Sequence, residues 1–385
     1  MDTLDQMLSM LLEGAIDTLD ISPEMRRSAV ESYEEVGNWL AEHGGQRVEI
    51  YPQGSFLLGT VVRPYRGAGE FDIDLVFLLR IARESTTQEE LKERVGNLLY
   101  EYAKWKKAEG QTDGPITCES CRRCWKLTYP GFHLDVLPSV PDAEHLPLGI
   151  CLTDEQLVKW QKSNPIGYAA WFAQRSVELQ DMLIKAAYER HINVAEVPVH
   201  EFRSTLQRVV QVLKWHAMMR FAKTPDLKPP SILITTLAAR AYRGETDLFT
   251  ATRSVLAGML ESIENRNGTW WVPNPAHEEE NFVDKWADYP ERRAAFFAWH
   301  SSIAEALGAL RTLEGRGIHV VAAELTKSFS AEPVTAAVSQ MLGQMAIQRD
   351  TGIVRMTATG ALTTATAAVG PRSQRHTFHG QHPRA

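Results

Sequence analysis

The spacing of apolar positions changes character near residue 163. Before it, two helical stretches precede short runs with the alternation of strands; after it, helical spacing dominates. Leu4, Met7, Leu8, Leu11, Leu12, Ala15 and Leu19 recur at helical intervals and predict an amphipathic first helix. Ser22-Pro23 reads as an N-cap with proline at the first helical position, and Gly44-Gly45 closes that second helix. Its apolar face includes Met25, Ala29, Tyr33, Val36 and Leu40. A strand over 47–51 ends in a turn at Gly54-Ser55. Phe71 to Leu79 is an apolar, β-branched strand bounded by the turn-forming Arg66-Gly67-Ala68-Gly69. A charged helix over about 87–107 follows, then two strands, 116–129 and 132–137, read as antiparallel partners. Beyond Ser163, Asn164-Pro165 starts a helix to about 191, and Pro198 opens another whose buried stripe is Phe202, Leu206, Val209, Val210 and Leu213. Further helices are predicted after Lys228-Pro229-Pro230-Ser231 and over about 245–265 and 290–311.

This pattern matters because of what the strands carry. Side chains two apart on a strand share a face, so Asp72 and Asp74 converge on one side of the sheet. Bare carboxylates repel, and burying them unpaired is costly, so a divalent cation is the simplest partner. The alternative, two polar positions on an exposed edge strand, fits poorly with a strand that is apolar at its other positions. Gly54-Ser55 offers a small backbone turn and a hydroxyl suited to a phosphate. Asp135 lies on the face of its strand shared with His133 and Leu137, and it completes a three-carboxylate cluster if that strand pairs with the one bearing Asp72. Three acidic oxygen donors suit two-metal phosphoryl or nucleotidyl transfer, with the ions ~3.5–4 Å apart. Ser231 falls in the first turn of its helix, where free N–H groups favour anions, although a plain capping role is equally open there. Lys214 stands beside the buried stripe of its helix, and a solvated side chain explains it as well as a ligand does.

Taken in order, Gly54-Ser55, Asp72-Ile73-Asp74 and Asp135 resemble the signature of the polymerase β-like nucleotidyltransferases. Asn164-Pro165-Ile166-Gly167-Tyr168, Leu213-Lys214-Trp215-His216, Lys228-Pro229-Pro230-Ser231, Asn274-Pro275 and the segment from Glu280 to Trp286 narrow the match to the bacterial CD-NTases, relatives of oligoadenylate synthetase and cyclic GMP-AMP synthase. The likeness covers about residues 1–330. It implies an α+β fold with a polymerase β-like catalytic lobe over 1–160, braced by the N-terminal helices, a helical lobe over 161–330 closing a nucleotide cleft, and a C-terminal extension over 331–385. It also implies Asp72, Asp74 and Asp135 as catalytic ligands of two Mg²⁺ ions, with Mn²⁺ as a substitute. Gln53, Gly54, Ser55, Lys214 and Ser231 would hold the donor triphosphate. The implied product is a cyclic di- or trinucleotide made from ATP or other NTPs, acting as a messenger in anti-phage signalling. Neither base choice nor ring closure can be read from the residues. A linear or terminal nucleotidyltransferase and a catalytically silent nucleotide-binding scaffold are the rival readings.

A chain of 385 residues has room for two lobes. Its formal charge of -7 argues against a protein that coats long nucleic acid, while leaving room for a local basic cleft. With no run of 18 apolar residues and no secretion signal at the start, a cytoplasmic protein without a membrane span is expected. Cys118, Cys121 and Cys124, with Cys151, invite a metal reading. That spacing suits a knuckle or loop and suits an extended strand poorly, so ordinary reduced cysteines are expected. The tryptophans over 270–286 are expected to pack the lobe rather than stack on a base. From about Gln348 the chain lacks core-forming composition, and in the resemblance such tails serve as peptides for a HORMA-type regulator or for E1/E2-like conjugation.

Overall fold

The structure is a computed structural model and describes residues 3–45, 47–63, 71–111, 113–154, 160–175, 195, 197, 203–350, 355–356 and 362–363. In the first part run α1 (Thr3–Asp17), α2 (Pro23–His43), β1 (Val48–Gln53), α3 (Gly54–Leu58), β2 (Phe71–Leu79), α4 (Gln88–Ala108), β3 (Thr117–Ser120), β4 (Trp125–Tyr129), β5 (Phe132–Pro141), β6 (Ile150–Leu152) and β7 (Gln161–Ser163). The second part holds α5 (Pro165–Gln174), α6 (Thr205–Arg220), α7 (Ser231–Ala241) and α8 (Leu248–Gly258). Two small hairpins follow, β8 (Glu264–Arg266) with β9 (Thr269–Trp271) and β10 (Pro273–Asn274) with β11 (His277–Asn281). Then come α9 (Pro290–Arg311), α10 (Ile318–Ser328) and α11 (Ala331–Asp350).

The large sheet runs β1-β2-β5-β4-β3, with β6 pairing β5 and β7. Only β2 and β5 are parallel; the other pairs are antiparallel, so the sheet is mixed. Local chemistry sets the helix ends. The Ser22 side chain accepts from Met25 N to start α2, and Thr87 and Glu90 form a reciprocal capping box at α4. α2 and α4 cover one face of the sheet, sharing a core of Tyr33, Val36, Leu40, Val95, Leu99 and Tyr102 with Ile50, Ile73, Leu75 and Leu134.

A second core joins the helices, and α1 belongs to it: Leu8, Leu11, Leu12 and Ala15 pack with Leu206, Val210, Leu213 and Trp299. The N-terminal helices therefore part company, α2 bracing the sheet and α1 the helical lobe. Residues assigned to the C-terminal extension also belong here. In α11, Val334, Ala337 and Met341 fall at helical spacing and are buried in the same core, and the would-be Cβ of Gly14 meets Ala337 Cβ at 3.1 Å.

Other boundaries moved for identifiable reasons. The predicted strand over 116–129 is a hairpin, because Cys121 N donates to Cys124 O at 2.9 Å and turns the chain. The helix expected over 245–265 starts after an Asp247 cap and stops at Gly258, since Asn267-Gly268 with φ of 53° and 90° makes the tight turn of β8 and β9. α6 starts at a Ser204–Gln207 capping box, while the expected start at Pro198 lies outside the described residues, as do the later part of the helix from Asn164 and the tail.

Candidate active site

β2 brings its carboxylates to one face, with Phe71, Ile73 and Leu75 buried on the other, Asp72 exposed and Asp74 half-buried. Register then adds what the single strand lacks. Gln53 of β1 stands opposite Asp74, and on the other side Asp135 of β5 stands opposite Asp74 while His133 stands opposite Asp72. Lys126 of β4 extends the row beyond Asp135. Paired residues share a face, so Gln53, Asp74, Asp135 and Lys126 line up across four strands about 5 Å apart.

The close approach of Gly54 to this row explains its identity. Its φ is 66°, and a Cβ there would stand 2.0 Å from Asp74 Oδ2. Only glycine fits. Gly54 and Ser55, which sequence reading placed in a turn, instead open α3, a single short helix that ends at Gly59 with φ 66°. The loop after it is held from behind by α6. Gln207 Nε2 donates to Leu58 O at 2.8 Å, Gln211 Nε2 to Val61 O at 2.7 Å and Lys214 Nζ to Thr60 O at 3.0 Å. These residues recur along one face of α6, so one helical ridge satisfies the carbonyl that ends α3 and two in the loop after it, and carries Lys214 to the carboxylates. Burial lowers the Lys214 ammonium to about 8, against the pull of the Asp72 and Asp74 charges. The two glutamines escaped the sequence reading, although buried polar residues at that spacing on an apolar stripe were a visible signal.

A cleft of about 540 Å³ opens between the sheet and the helices. Gln53, Gly54, Ser55, Asp72, Asp74, Lys214 and Ser231 all line it. Asp135 does not, and joins the site through its pairing with Asp74. Ser231 is the first residue of α7; the cap position is Pro230, and no side chain caps the helix, which leaves the Ser231 hydroxyl exposed toward the cleft. Sequence reading missed Arg122 and Arg123, and it quoted Lys228, Asn274, Glu280 and Lys285 only as part of motifs without a site role; all six line the same space. Asp154, buried behind the β3–β4 turn, fixes Arg122 Nε and Arg123 Nε at 2.9 Å each. The cleft thus brings cationic side chains close to the carboxylates in an acidic chain. Asn274 Nδ2 donates to Glu280 Oε2 at 2.7 Å, and burial raises Glu280 to about 6 against the bonds from Asn274 and Ser163.

Burial, with the charges of Asp72 and Asp135, pushes the Asp74 carboxyl well above the usual carboxylate range, and Lys214 opposes the shift. Asp135 is raised chiefly by burial, against nearby His133 and Lys126, and its Oδ1 is buried with no hydrogen-bond partner among the described residues. A buried, unpaired carboxylate oxygen beside two more carboxylates suits a hard divalent cation. The three do not close into a tight group: among the described residues, that description fits Asp142, His145 and His277, whose ligand atoms all lie within 4.8 Å of one another. Among the described residues the cysteines form no group of three, although the side chains of Cys121 and Cys124 meet. Cys118 sits in β3, Cys121 and Cys124 flank the hairpin turn, and Cys151 is buried in β6. Trp286 and Trp270 pack against Phe297, within the helical core rather than in the cleft wall.

Residues 48–138, from β1 into β5, match the family model of the nucleotidyltransferase domain of cyclic GMP-AMP synthase DncV-like proteins. The chain is 30% identical over 279 residues to a c-di-GMP synthase of Roseivirga ehrenbergii, covering 71% of each chain. Its fold is shared with the CD-NTase CdnG of Bradyrhizobium diazoefficiens in complex with GTP, at TM-score 0.67, 23% identity and coverage of 88% of this chain and 98% of that one. The CdnC of Escherichia coli MS115-1 in complex with a HORMA protein is similar at TM-score 0.58 and 13% identity, over 84% of this chain and 96% of that one. This α+β chain belongs to the bacterial CD-NTases, nucleotidyltransferases that synthesise cyclic oligonucleotides.

Proposed function

We propose that the cleft binds two NTPs and joins them into a cyclic dinucleotide. The row that places Asp74 beside Asp135 carries this reading, because it gathers acidic donors where Lys214 and Ser231 also face. Asp72 and Asp74 would hold two Mg²⁺ ions, with Asp135 sharing one of them. When bound, these ions supply charge to activate the acceptor hydroxyl and to stabilise the leaving pyrophosphate. The chain's own groups do the rest. Gly54 and Ser55 approach the donor triphosphate, the Lys214 ammonium neutralises part of its charge, and the Ser231 hydroxyl donates to it from the first turn of α7. Gln53 orients the Asp74 end of the row. Arg122 and Arg123, fixed by Asp154, line the same cleft and suit the phosphates of the acceptor.

The resemblance in the sequence points to ATP, whereas the Roseivirga relative is named for c-di-GMP; GTP is therefore the first substrate to test and ATP the second. The proposed setting is the cytoplasm, where the product would act as a messenger in antiviral defence. No helix among the described residues is long and apolar enough to cross a membrane. A protein partner at the C-terminal tail is part of the same reading, supported by the HORMA complex of the E. coli relative.

Incubation with each NTP, singly and mixed, with Mg²⁺ or Mn²⁺, tests the proposal, with phosphatase-resistant products read by mass spectrometry. A cyclic mass absent from Asp72→Asn/Asp74→Asn supports it and names the bases. Pyrophosphate release with only phosphatase-sensitive products would turn the reading to a linear polymerase.

A further inference from the structure

β11 lines the nucleotide cleft with Glu280 and Asn281, and at its other end it carries a fully buried histidine. His277 Nε2 lies 3.2 Å from Asp142 Oδ2, and His145 Nδ1 lies 2.8 Å from the same oxygen. The two imidazoles are tilted 43° to one another with centroids 4.1 Å apart. Asp142 and His145 follow the end of β5 in the sheet lobe, so the cluster spans the junction between the sheet and the β10–β11 hairpin.

We infer that Asp142, His145 and His277 form a zinc site separate from the catalytic carboxylates. Two imidazole nitrogens and one carboxylate oxygen are a donor set for zinc rather than for magnesium. Zinc bonds of ~2.0–2.1 Å in a tetrahedron place ligand atoms roughly 3.3 Å apart. The contacts to Asp142, at 2.8 and 3.2 Å, already approach that spacing. His277 Nδ1 is buried and meets no partner among the described residues, which leaves the ring held through Nε2.

Lys162 lies 3.9 Å from Asp142 Oδ2. Its charge is met by Glu144 at 2.5 Å and Glu279 at 2.8 Å, so the pocket keeps a net anionic character. His145 is 36% exposed and gives the ion a route in and a solvent ligand for the fourth position. Filling the site ties β11 to the sheet and so fixes the strand whose Glu280 and Asn281 face the nucleotides.

The test uses the full-length chain carrying Asp72→Asn and Asp74→Asn, which removes the catalytic ligands. The chelator-stripped protein is given ZnCl₂, desalted, and assayed for bound zinc and for melting temperature, with MgCl₂ alongside. About one zinc per chain and a zinc-dependent rise in melting temperature that MgCl₂ does not produce are expected, and His145→Ala is expected to weaken zinc affinity about tenfold or more. CoCl₂ should give the visible absorption of a tetrahedral centre in the parent chain, a readout that needs no variant. Loss of zinc on desalting, absence of the cobalt bands, or equal zinc binding by a folded His145→Ala chain would overturn the inference.

Discussion

Replacing Gly54 with alanine separates the cost to the fold from the cost to the site. The φ of 66° at this position costs an L-residue about 1–2 kcal/mol. Alanine returns roughly 0.4–1 kcal/mol by narrowing the unfolded ensemble, so the net loss stays below about 2 kcal/mol and the melting temperature falls by a few degrees at most. The carboxylate row has less slack. The new Cβ would stand 2.0 Å from Asp74 Oδ2 and 3.1 Å from its Cγ, and even a 3.0 Å contact requires the carboxylate to retreat by about 1 Å. Asp74 is pinned between Gln53 and Asp135 by register, so the retreat takes it out of line with both neighbours. A displacement of ~1 Å at a reacting centre costs about 10²-fold in rate. The assay is pyrophosphate release at saturating NTP and Mg²⁺, with thermal unfolding by circular dichroism on the same sample. A rate fall of about 100-fold with near-native melting is expected, and a rate within about threefold of wild type would refute the argument that Gly54 exists to admit Asp74.

Ser231→Ala should leave stability within about 0.5 kcal/mol, because the hydroxyl caps nothing, while raising the KM for NTP by roughly tenfold or more through loss of a charge-assisted bond; steady-state kinetics and melting decide it. Gly96 in α4 faces Trp125, and a Cβ there would lie 2.1 Å from the indole; Gly96→Ala should cost about 1–3 kcal/mol of stability by overpacking, read by urea titration. Burial lowers His216 to about 4 from an ordinary value near 6.5. The unfolded chain therefore binds the extra proton between those values, so His216 removes stability as pH falls through the window, about 2 kcal/mol by pH 5. Urea unfolding at pH 7 and pH 5 should show that loss in wild type and a smaller one in His216→Gln.

Much of the sheet lobe could be read locally because its signals are local. Phe71–Leu79 shows its strand by composition, and alternation with period two puts Asp72 and Asp74 on one face whatever the strand pairs with. Ser22, Thr87 and Pro290 mark helix starts within a turn of where they occur. The Asn267-Gly268 turn was equally legible, and overlooking it stretched a helix through a hairpin. Lys214 was visible as a residue and ambiguous as a ligand, since a lysine beside an apolar stripe reads the same whether its amine meets solvent or a carboxylate.

The sequence by itself determined which residues have the chemistry: the carboxylates, the glycine, the lysine and the helix-start serine. Only the tertiary structure decided which of them meet. The pairing of β2 with β5 sets Asp74 against Asp135 and leaves Asp135 outside the cleft wall, and no local pattern fixes a parallel register between distant strands. The same holds where Gln207 and Gln211 clasp the loop after α3, where α1 leaves α2 to pack against α11, and where His277 reaches Asp142. Each of these contacts joins segments far apart in the chain. Its geometry comes from how whole faces bury against one another, a property of the assembled cores rather than of any stretch of residues.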